Sequence, residues 1–331
     1  MSSATLSSLS AIAARDVPIP LGSAANLRQA LGGRQRLAWM LAAVAIGSTV
    51  AGLWNFRLVD GFGRDIVAAN TVGDTGVLSG MFGQLGLTFG FAFAWVAGLA
   101  ATFTACNCVV FAMLPGLAAT GDRAASRAAG LRALAIFGSA VLLVGAAYGV
   151  FIGFLGPDGA RAFNEPAVRL AQAQAVFTIL GSVMLIWGLI EFRFLDGLVS
   201  RLSPLTRAFF SQPMTRAGLM GTLVGLFAVG RPYPVFRDFL TYAASAHSPT
   251  YGAVLMMLHG LGQIAIMVSL FLVLLFVFGK PLARWVARKP HQPVLVTAVA
   301  LVAGGSYFIY YWGLAFVFDI GRWGFKLGWY Q

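Results

Sequence analysis

Charged residues are scarce in this sequence: only 10% of its 331 residues are Asp, Glu, Lys or Arg, whereas 59% are hydrophobic. A soluble globular protein of this length normally carries far more charge, so the composition indicates an integral membrane protein. No ten-residue stretch alternates apolar with polar residues, which excludes a transmembrane β-barrel. The spans are therefore expected to be α-helices, because a helix pairs its own backbone groups within lipid.

Cysteine and histidine are also scarce, with two and three residues. The two cysteines, Cys106 and Cys108, are too few for a disulfide framework and lie one residue apart. Because no His or carboxylate lies near them in the sequence, we expect no metal site. The sequence also lacks a nucleotide-binding loop, a metalloprotease motif, a nucleophile elbow and any nucleic-acid-binding module. We therefore expect no cofactor, only thiols that could be redox active.

The apolar runs predict an all-α integral membrane protein with about seven transmembrane helices. The second and fifth runs are too long for one straight span. Setting the first helix aside, the other six divide into two groups of three that enter the membrane from opposite sides. This predicts an inverted three-plus-three repeat core with one added N-terminal helix. The predicted helices cover residues 37–55, 79–118, 133–156, 171–192, 217–245, 251–278 and 292–318.

The net charge of +12 is interpreted as a topology signal rather than as a nucleic-acid-binding surface. Most of the 23 Lys and Arg residues fall in the N-terminal leader and in alternate loops, on one side of the predicted membrane. Basic loops are typical of the cytoplasmic side. We therefore expect a multi-pass protein of the cytoplasmic (inner) membrane, with its N-terminus inside, its C-terminus outside, and lipids as neighbours.

The same patterns divide the chain into six parts. Residues 1–36 are rich in Ser and Ala and are expected to form a mobile cytoplasmic leader. The last residues are aromatic, which is typical of a membrane interface or a docking surface. The predicted parts are the leader 1–36, the extra helix and outer loop 37–78, the first repeat 79–192, the basic linker 193–216, the second repeat 217–318 and the outer tail 319–331.

Two breaks interrupt the long runs: residues 103–111 (FTACNCVVF) and 230–238 (GRPYPVFRD). Irregular backbone at membrane depth is tolerated only where protein or a water-filled cavity shields it. Paired interruptions in inverted halves also point to a site near the membrane midplane. We therefore expect the two breaks to face each other. Their candidate site residues are Cys106, Asn107, Cys108, Arg231, Pro232, Tyr233 and Pro234.

Four polar residues, Arg231, His259, Arg237 and Asp238, have two interpretations each. Arg231 is costly at membrane depth, so it is either functional or a donor to carbonyls freed by the prolines. His259 is a weak cofactor candidate, and we favour a polar packing contact with Gln263, one turn on. Arg237 and Asp238 are expected to pair with neighbouring charges or lipid head groups.

Glycines spaced three or four residues apart are typical of close helix packing within membranes. Such runs occur in the second helix and in the fifth. They consist of Gly80, Gly83, Gly86 and Gly90, and of Gly218, Gly221 and Gly225.

The two breaks resemble motifs of the CcdA/DsbD membrane thiol–disulfide transporters, over about residues 80–318. In the first half the resemblance is carried by residues 98–108 (GLAATFTACNC) and 114–116 (LPG). In the second half it is carried by residues 225–234 (GLFAVGRPYP) and 250–255 (TYGAVL). It implies that one cysteine from each half forms a buried pair, which takes electrons from a cytoplasmic thioredoxin-like protein and passes them to an extracytoplasmic thiol protein.

The sequence departs from that pattern at two positions. Ala105 stands where the family has a proline, and Tyr233 lies near the position of the second cysteine. A pair shared by the halves cannot form, so Cys106 and Cys108 would have to pair with each other, which requires an unwound backbone. The alternative is that one or both are small packing thiols.

The resemblance thus implies a membrane protein of thiol redox or cytochrome-assembly type. The alternative is a non-catalytic accessory subunit of a larger respiratory or photosynthetic complex, with the other subunits as its partners. A small-solute or ion transporter is less well supported, because acidic residues are nearly absent from the apolar spans.

Overall fold

The computed structural model describes residues 27–103, 123–278 and 291–329, together with positions 281, 284–285 and 288–289. Within these residues every regular element is a helix. Six helices are long and apolar enough to cross a membrane, and a bent pair of helices would make a seventh span. The predicted fold class, an all-α integral membrane protein with about seven spans, is confirmed.

The described helices are numbered in chain order. The spanning helices are α1 (Gly33–Leu53), α4 (Phe82–Ala101), α5 (Arg123–Phe163), α6 (Pro166–Glu191), α11 (Pro249–Phe276) and α12 (Gln292–Phe308), and the bent pair is α9 (Pro213–Gly230) with α10 (Pro234–Ala244). The short helices are α2 (Phe56–Gly61), α3 (Thr75–Ser79), α7 (Asp196–Val199), α8 (Pro204–Ser211), α13 (Phe316–Phe318) and α14 (Trp323–Lys326). Two π-helices, Phe62–Ala68 and Ile309–Ala315, continue α2 and α12.

The predicted helix positions agree with the structure better than their lengths do. The helix predicted at 133–156 is part of the 41-residue α5, which bends at Gly156, where φ is 64° just before Pro157. Residues 104–118 of the second predicted helix lie outside the described residues. The outer loop predicted before residue 79 is largely helical. We call its first part, Phe56–Ala68, the connecting segment; it consists of α2 and the π-helix that follows.

The spanning helices pack in reciprocal pairs. Helix α5 of the first predicted repeat packs on α11 of the second, and α6 packs on α12. Helix α4 packs on α11, just as α9 packs on α5. Two repeats related by a twofold axis are expected to pair in this way. The pairing agrees with the inverted repeat, which, like the domain boundaries, stays a prediction.

The glycines predicted to mediate packing do so only in part. A β-carbon at Gly90 or at Gly221 would collide with a neighbouring helix. One at Gly83 or Gly86 would meet no atom within 4 Å, and Gly86, at φ 69°, instead bends the start of α4. A close backbone approach joins α4 to α11 at Gly98 and Gly262, which were not among the predicted runs. The spacing of residues in the sequence shows which of them share a helix face, but it does not show which other helix packs against that face.

Candidate functional site

The second break is a stretch of extended chain between α9 and α10, which meet at an angle of 84°. Arg231 (φ −71°, ψ 117°) and Tyr233 (φ −60°, ψ 127°) each precede a proline, and a residue before proline is disfavoured from the helical conformation. Pro234 then begins α10, because proline is favoured at the first position of a helix. The structure thus contains the helix break predicted at Pro232 and its neighbours, whereas the partner-facing role given to these residues stays a prediction.

Arg169, in the first turn of α6, holds the carbonyls at this break. Its side chain is completely buried. Its guanidinium donates to the carbonyl oxygen of Val229 at 3.0 Å, to the carbonyl oxygen of Arg231, and to the Tyr148 hydroxyl at 3.0 Å. One of the two interpretations of Arg231 was that it binds freed carbonyls. For the carbonyls of Val229 and Arg231 the donor is Arg169, and Arg231 supplies one of the two acceptors. Both interpretations of the Arg231 side chain stay predictions.

Aromatic rings enclose the Arg169 guanidinium. Its central carbon lies 5.6 Å from the ring centre of Phe163 and 5.7 Å from that of Phe236. Cation–π contacts of this kind gain strength where water is excluded. Because Phe163 ends α5 and Phe236 belongs to α10, Arg169 joins three helices around the second break.

The described edge of the first break lies at the end of α4. The Thr102 hydroxyl is buried and donates to the carbonyl oxygen of Gln263 in α11 at 2.9 Å. Phe103 is the last described residue of this edge. Cys106 and Cys108, predicted to carry the redox chemistry, and Asn107, predicted to face the partner, lie outside the described residues.

The connecting segment lies between the two breaks. A β-carbon at Gly63 would collide with the carbonyl oxygen of Ala100 and would lie 2.7 Å from the Tyr233 hydroxyl oxygen. The rings of Phe62 and Phe103 meet edge to face, with their centres 4.7 Å apart. Ala100 and Phe103 border the first break and Tyr233 belongs to the second, so the described edges of the two breaks converge on Gly63. We call this place the junction.

The connecting segment carries three charged side chains next to Gly63 in the sequence: Asp60, Arg64 and Asp65. Burial raises the pKa of the Asp60 carboxyl to about 6, against the opposing influence of Arg231 and Arg64. Arg64 donates to the exposed carboxylate of Asp65 at 2.7 Å, which lowers the pKa of Asp65. The pKa of Asp60 therefore lies near neutral pH, and Arg231 of the second break is close enough to influence it.

His259 lies in an aromatic environment beside α10. Its ring is completely buried and stands edge to face with Phe236, at 4.8 Å between centres, and near Phe239, at 5.5 Å. Neither ring nitrogen hydrogen-bonds to a residue that the structure describes. The Gln263 amide instead donates to the carbonyl oxygen of Val224 at 3.5 Å. The ring of His259 thus faces aromatic neighbours, while the predicted polar packing contact with Gln263 and the weak cofactor role both stay predictions.

Arg237 and Asp238 contact polar groups of the protein. The Arg237 guanidinium donates to the carbonyl oxygen of Asn164 at 3.0 Å, and the Asp238 carboxylate accepts from the Thr75 hydroxyl at 2.7 Å. These bonds fix α10 to the loop before α6 and to α3. Their partners among the described residues are therefore a backbone carbonyl and a hydroxyl, and the expected pairing with neighbouring charges or lipid head groups stays a prediction.

Three residues that matter here were not predicted as site residues: Arg169, Asp60 and Gly63. Arg169 lies just before the helix predicted at 171–192, whereas the observed α6 begins at Pro166 and includes it. Asp60 and Gly63 fall in a stretch that reads as a polar loop. In the part of the chain that the structure describes, no group of three or more His, Cys, Asp or Glu side chains could hold a metal ion.

These features define a multi-pass helical membrane protein in which a proline-broken span meets the end of a second span at a buried junction. The chain belongs to the family described as the cytochrome c biogenesis protein transmembrane domain, the DsbD transmembrane family, whose model matches residues 87–288. The predicted CcdA/DsbD-type resemblance is thereby confirmed. No curated protein and no solved structure gives a significant match to the chain.

Proposed function

We propose that this protein carries reducing equivalents across the cytoplasmic membrane by thiol–disulfide exchange, with Cys106 and Cys108 as its redox groups. The observation that supports the proposal best is the convergence of both breaks on Gly63. Ala100 and Phe103 lie at the junction, and the chain continues from them directly to the two cysteines. Family membership supports the same class of function.

Because Cys106 and Cys108 are the only cysteines, the pair must form within the first break. In the proposed cycle the disulfide of this pair accepts two electrons and two protons from a cytoplasmic dithiol of thioredoxin type. The resulting dithiol then reduces a disulfide of an extracytoplasmic protein and is reoxidised. A disulfide between cysteines two residues apart is strained, and strained disulfides are readily reduced, which suits a carrier.

The proposed orientation follows the charge pattern, with the basic loops and the N-terminus in the cytoplasm. The junction would then be reached from each side in turn, as in transporters whose interrupted helices line a central site. The aromatic C-terminal residues, which include the exposed Trp323 and Trp329, would lie on the outer side.

Trapping of mixed disulfides tests this function. In native membranes, Cys106→Ser and Cys108→Ser are each compared with wild type for a covalent, reductant-sensitive adduct with a dithiol protein. In one of the two variants the remaining cysteine is expected to hold its partner, because the resolving thiol has been removed. If neither variant forms an adduct and the double variant keeps full function, the thiol carrier is refuted and a non-catalytic accessory subunit becomes the better interpretation.

A further inference from the structure

The chain between α6 and α9 lies at one face of the membrane. Helix α6 is a spanning helix that ends at Glu191, and α9, the first half of the bent pair, begins at Pro213. The Arg216 guanidinium lies 2.7 Å from the Glu191 carboxylate, so the end of α6 and the start of α9 are held together. Residues 192–212, which we call the surface segment, therefore stay at the membrane surface where these two helices meet.

The surface segment contains an amphipathic helix, α8. Pro204 begins it, and the extended residue before Pro213 separates it from α9. Leu205 and Phe209 are four residues apart and share one face of α8, whereas Arg207, two residues from each, lies on the opposite face. A helix with one apolar and one basic face is typical of helices that lie in the plane of a membrane interface.

The apolar face of α8 is uncovered in the part of the chain that the structure describes. The Leu205 side chain is 82% exposed and that of Phe209 is 55% exposed, and Phe210 beside them is also exposed. None of the described side chains of α8 is buried. The Arg216 Nε donates to the carbonyl oxygen of Phe210 at 3.5 Å, which ties the end of α8 to α9. Large apolar side chains that are exposed together mark an interaction surface, and at this position the acyl chains of the bilayer are within reach.

The surface segment also carries an excess of positive charge. It contains three arginines and one acid, Asp196. The Asp196 carboxylate lies 3.0 Å from the Arg193 guanidinium and 3.8 Å from that of Arg28. Arg201 and Arg207 are exposed, and neither forms an ion pair with a residue that the structure describes. Exposed arginines beside a spanning helix are complementary in charge to anionic phospholipid head groups.

We propose that α8 inserts its apolar face into the bilayer and that Arg201 and Arg207 bind the head groups of anionic phospholipids. Burial of Leu205 and Phe209 among acyl chains stabilises the bound helix whatever the charge of the lipid. The two arginines add a preference for anionic lipid. The surface segment thereby anchors the end of α6 and the start of α9 at the membrane surface.

Amide hydrogen exchange of α8, followed by mass spectrometry, tests the proposal on the full-length protein. The protein is placed in nanodiscs of phosphatidylcholine alone, or of phosphatidylcholine mixed with an equal amount of phosphatidylglycerol. Each arginine near an anionic surface contributes about fivefold to binding, so exchange should be about 25-fold slower in the anionic nanodiscs. High salt should remove this difference, because it screens the head-group charge. Equal exchange in the two lipids at low salt overturns the preference for anionic lipid.

The variant that carries both Arg201→Gln and Arg207→Gln tests the role of these arginines. In anionic nanodiscs it should exchange as fast as wild type does in neutral ones. Arg161→Gln is the matched control, because Arg161 is also exposed but precedes α6 instead of following it, and it should keep the wild-type difference. A double variant that keeps the difference overturns the assignment to Arg201 and Arg207.

The variant that carries both Leu205→Ser and Phe209→Ser tests insertion of the apolar face. Both side chains are exposed, so the fold should tolerate the change, and exchange of α8 should become faster in both lipids. Unchanged exchange would show that the face is not inserted. Slow exchange of wild type that persists equally in detergent would show that protein covers α8, which also overturns the proposal.

Discussion

The second break is expected to depend on Arg169, a residue far from it in the sequence. Replacing Arg169 by Ala removes the donors to the carbonyl oxygens of Val229 and Arg231. A hydrogen bond from a charged donor is worth about 1.5–3 kcal/mol, and a buried carbonyl left without a partner adds a desolvation penalty. The contacts with Phe163 and Phe236 contribute about 1 kcal/mol more. We therefore expect Arg169→Ala to lower the free energy of unfolding by about 3–5 kcal/mol.

Two further variants separate charge from geometry. Arg169→Lys keeps the charge but offers a compact ammonium in place of the planar fork, and so should recover only part of the loss, about half. Arg161→Ala is the matched control, because the Arg161 side chain is 71% exposed and pairs with the exposed Asp158 at 3.3 Å. A surface pair of this kind contributes less than about 1 kcal/mol.

The assay is unfolding of the purified protein by sodium dodecyl sulfate in mixed micelles, followed by tryptophan fluorescence. Wild type and Arg161→Ala should unfold at nearly the same detergent fraction, Arg169→Lys earlier and Arg169→Ala earliest. If Arg169→Ala instead unfolds at the same detergent fraction as Arg161→Ala, the carbonyls at the break do not depend on the Arg169 guanidinium. The description of the second break would then be refuted.

Three further predictions concern the packing of two glycines and the charge of Asp60. Gly63→Ala should destabilise the protein by about 1–3 kcal/mol and change cysteine reactivity, because its β-carbon collides with Ala100 and Tyr233. The β-carbon of Gly61→Ala meets its nearest atom at 3.4 Å, so this control should leave both the unfolding midpoint and cysteine alkylation unchanged. Gly262→Ala should lower the free energy of unfolding by a similar amount, because its β-carbon would lie 2.5 Å from the Trp95 carbonyl oxygen. The control is Gly83→Ala, whose β-carbon meets no atom within 4 Å. Equal unfolding midpoints of the two variants would refute the contact. The pKa of the Asp60 carboxyl is 3.8 in the unfolded chain and about 6 in the folded protein. As the pH rises from 4 to above 6, the free energy of unfolding of wild type should therefore fall by up to about 2–3 kcal/mol relative to that of Asp60→Asn. A constant difference across that range would contradict the burial of this carboxyl.

The second break could be predicted from the sequence because its cause is local. Pro232 and Pro234 act on the residues directly before them, so the positions of the extended residues follow from the order of the amino acids. The membrane class is equally direct, because composition alone decides it.

The partners of the break could not be predicted in the same way. Arg169 lies 62 positions before Arg231, and nothing in a helical repeat tells which distant carbonyl an arginine will reach. The connecting segment was missed for a related reason. Its glycines and charges are typical of a loop, and only the packed fold shows that Gly63 is small because two other chain segments approach it.

The central claim is that the junction serves a redox-active thiol pair, and differential alkylation of Cys106 and Cys108 in native membranes tests it most directly. Free thiols are blocked before and after treatment with a thiol reductant, and each cysteine is then quantified by mass spectrometry. We expect an oxidised fraction that disappears with reductant and returns when the reductant is removed. Two cysteines that stay reduced at every redox poise would contradict the claim.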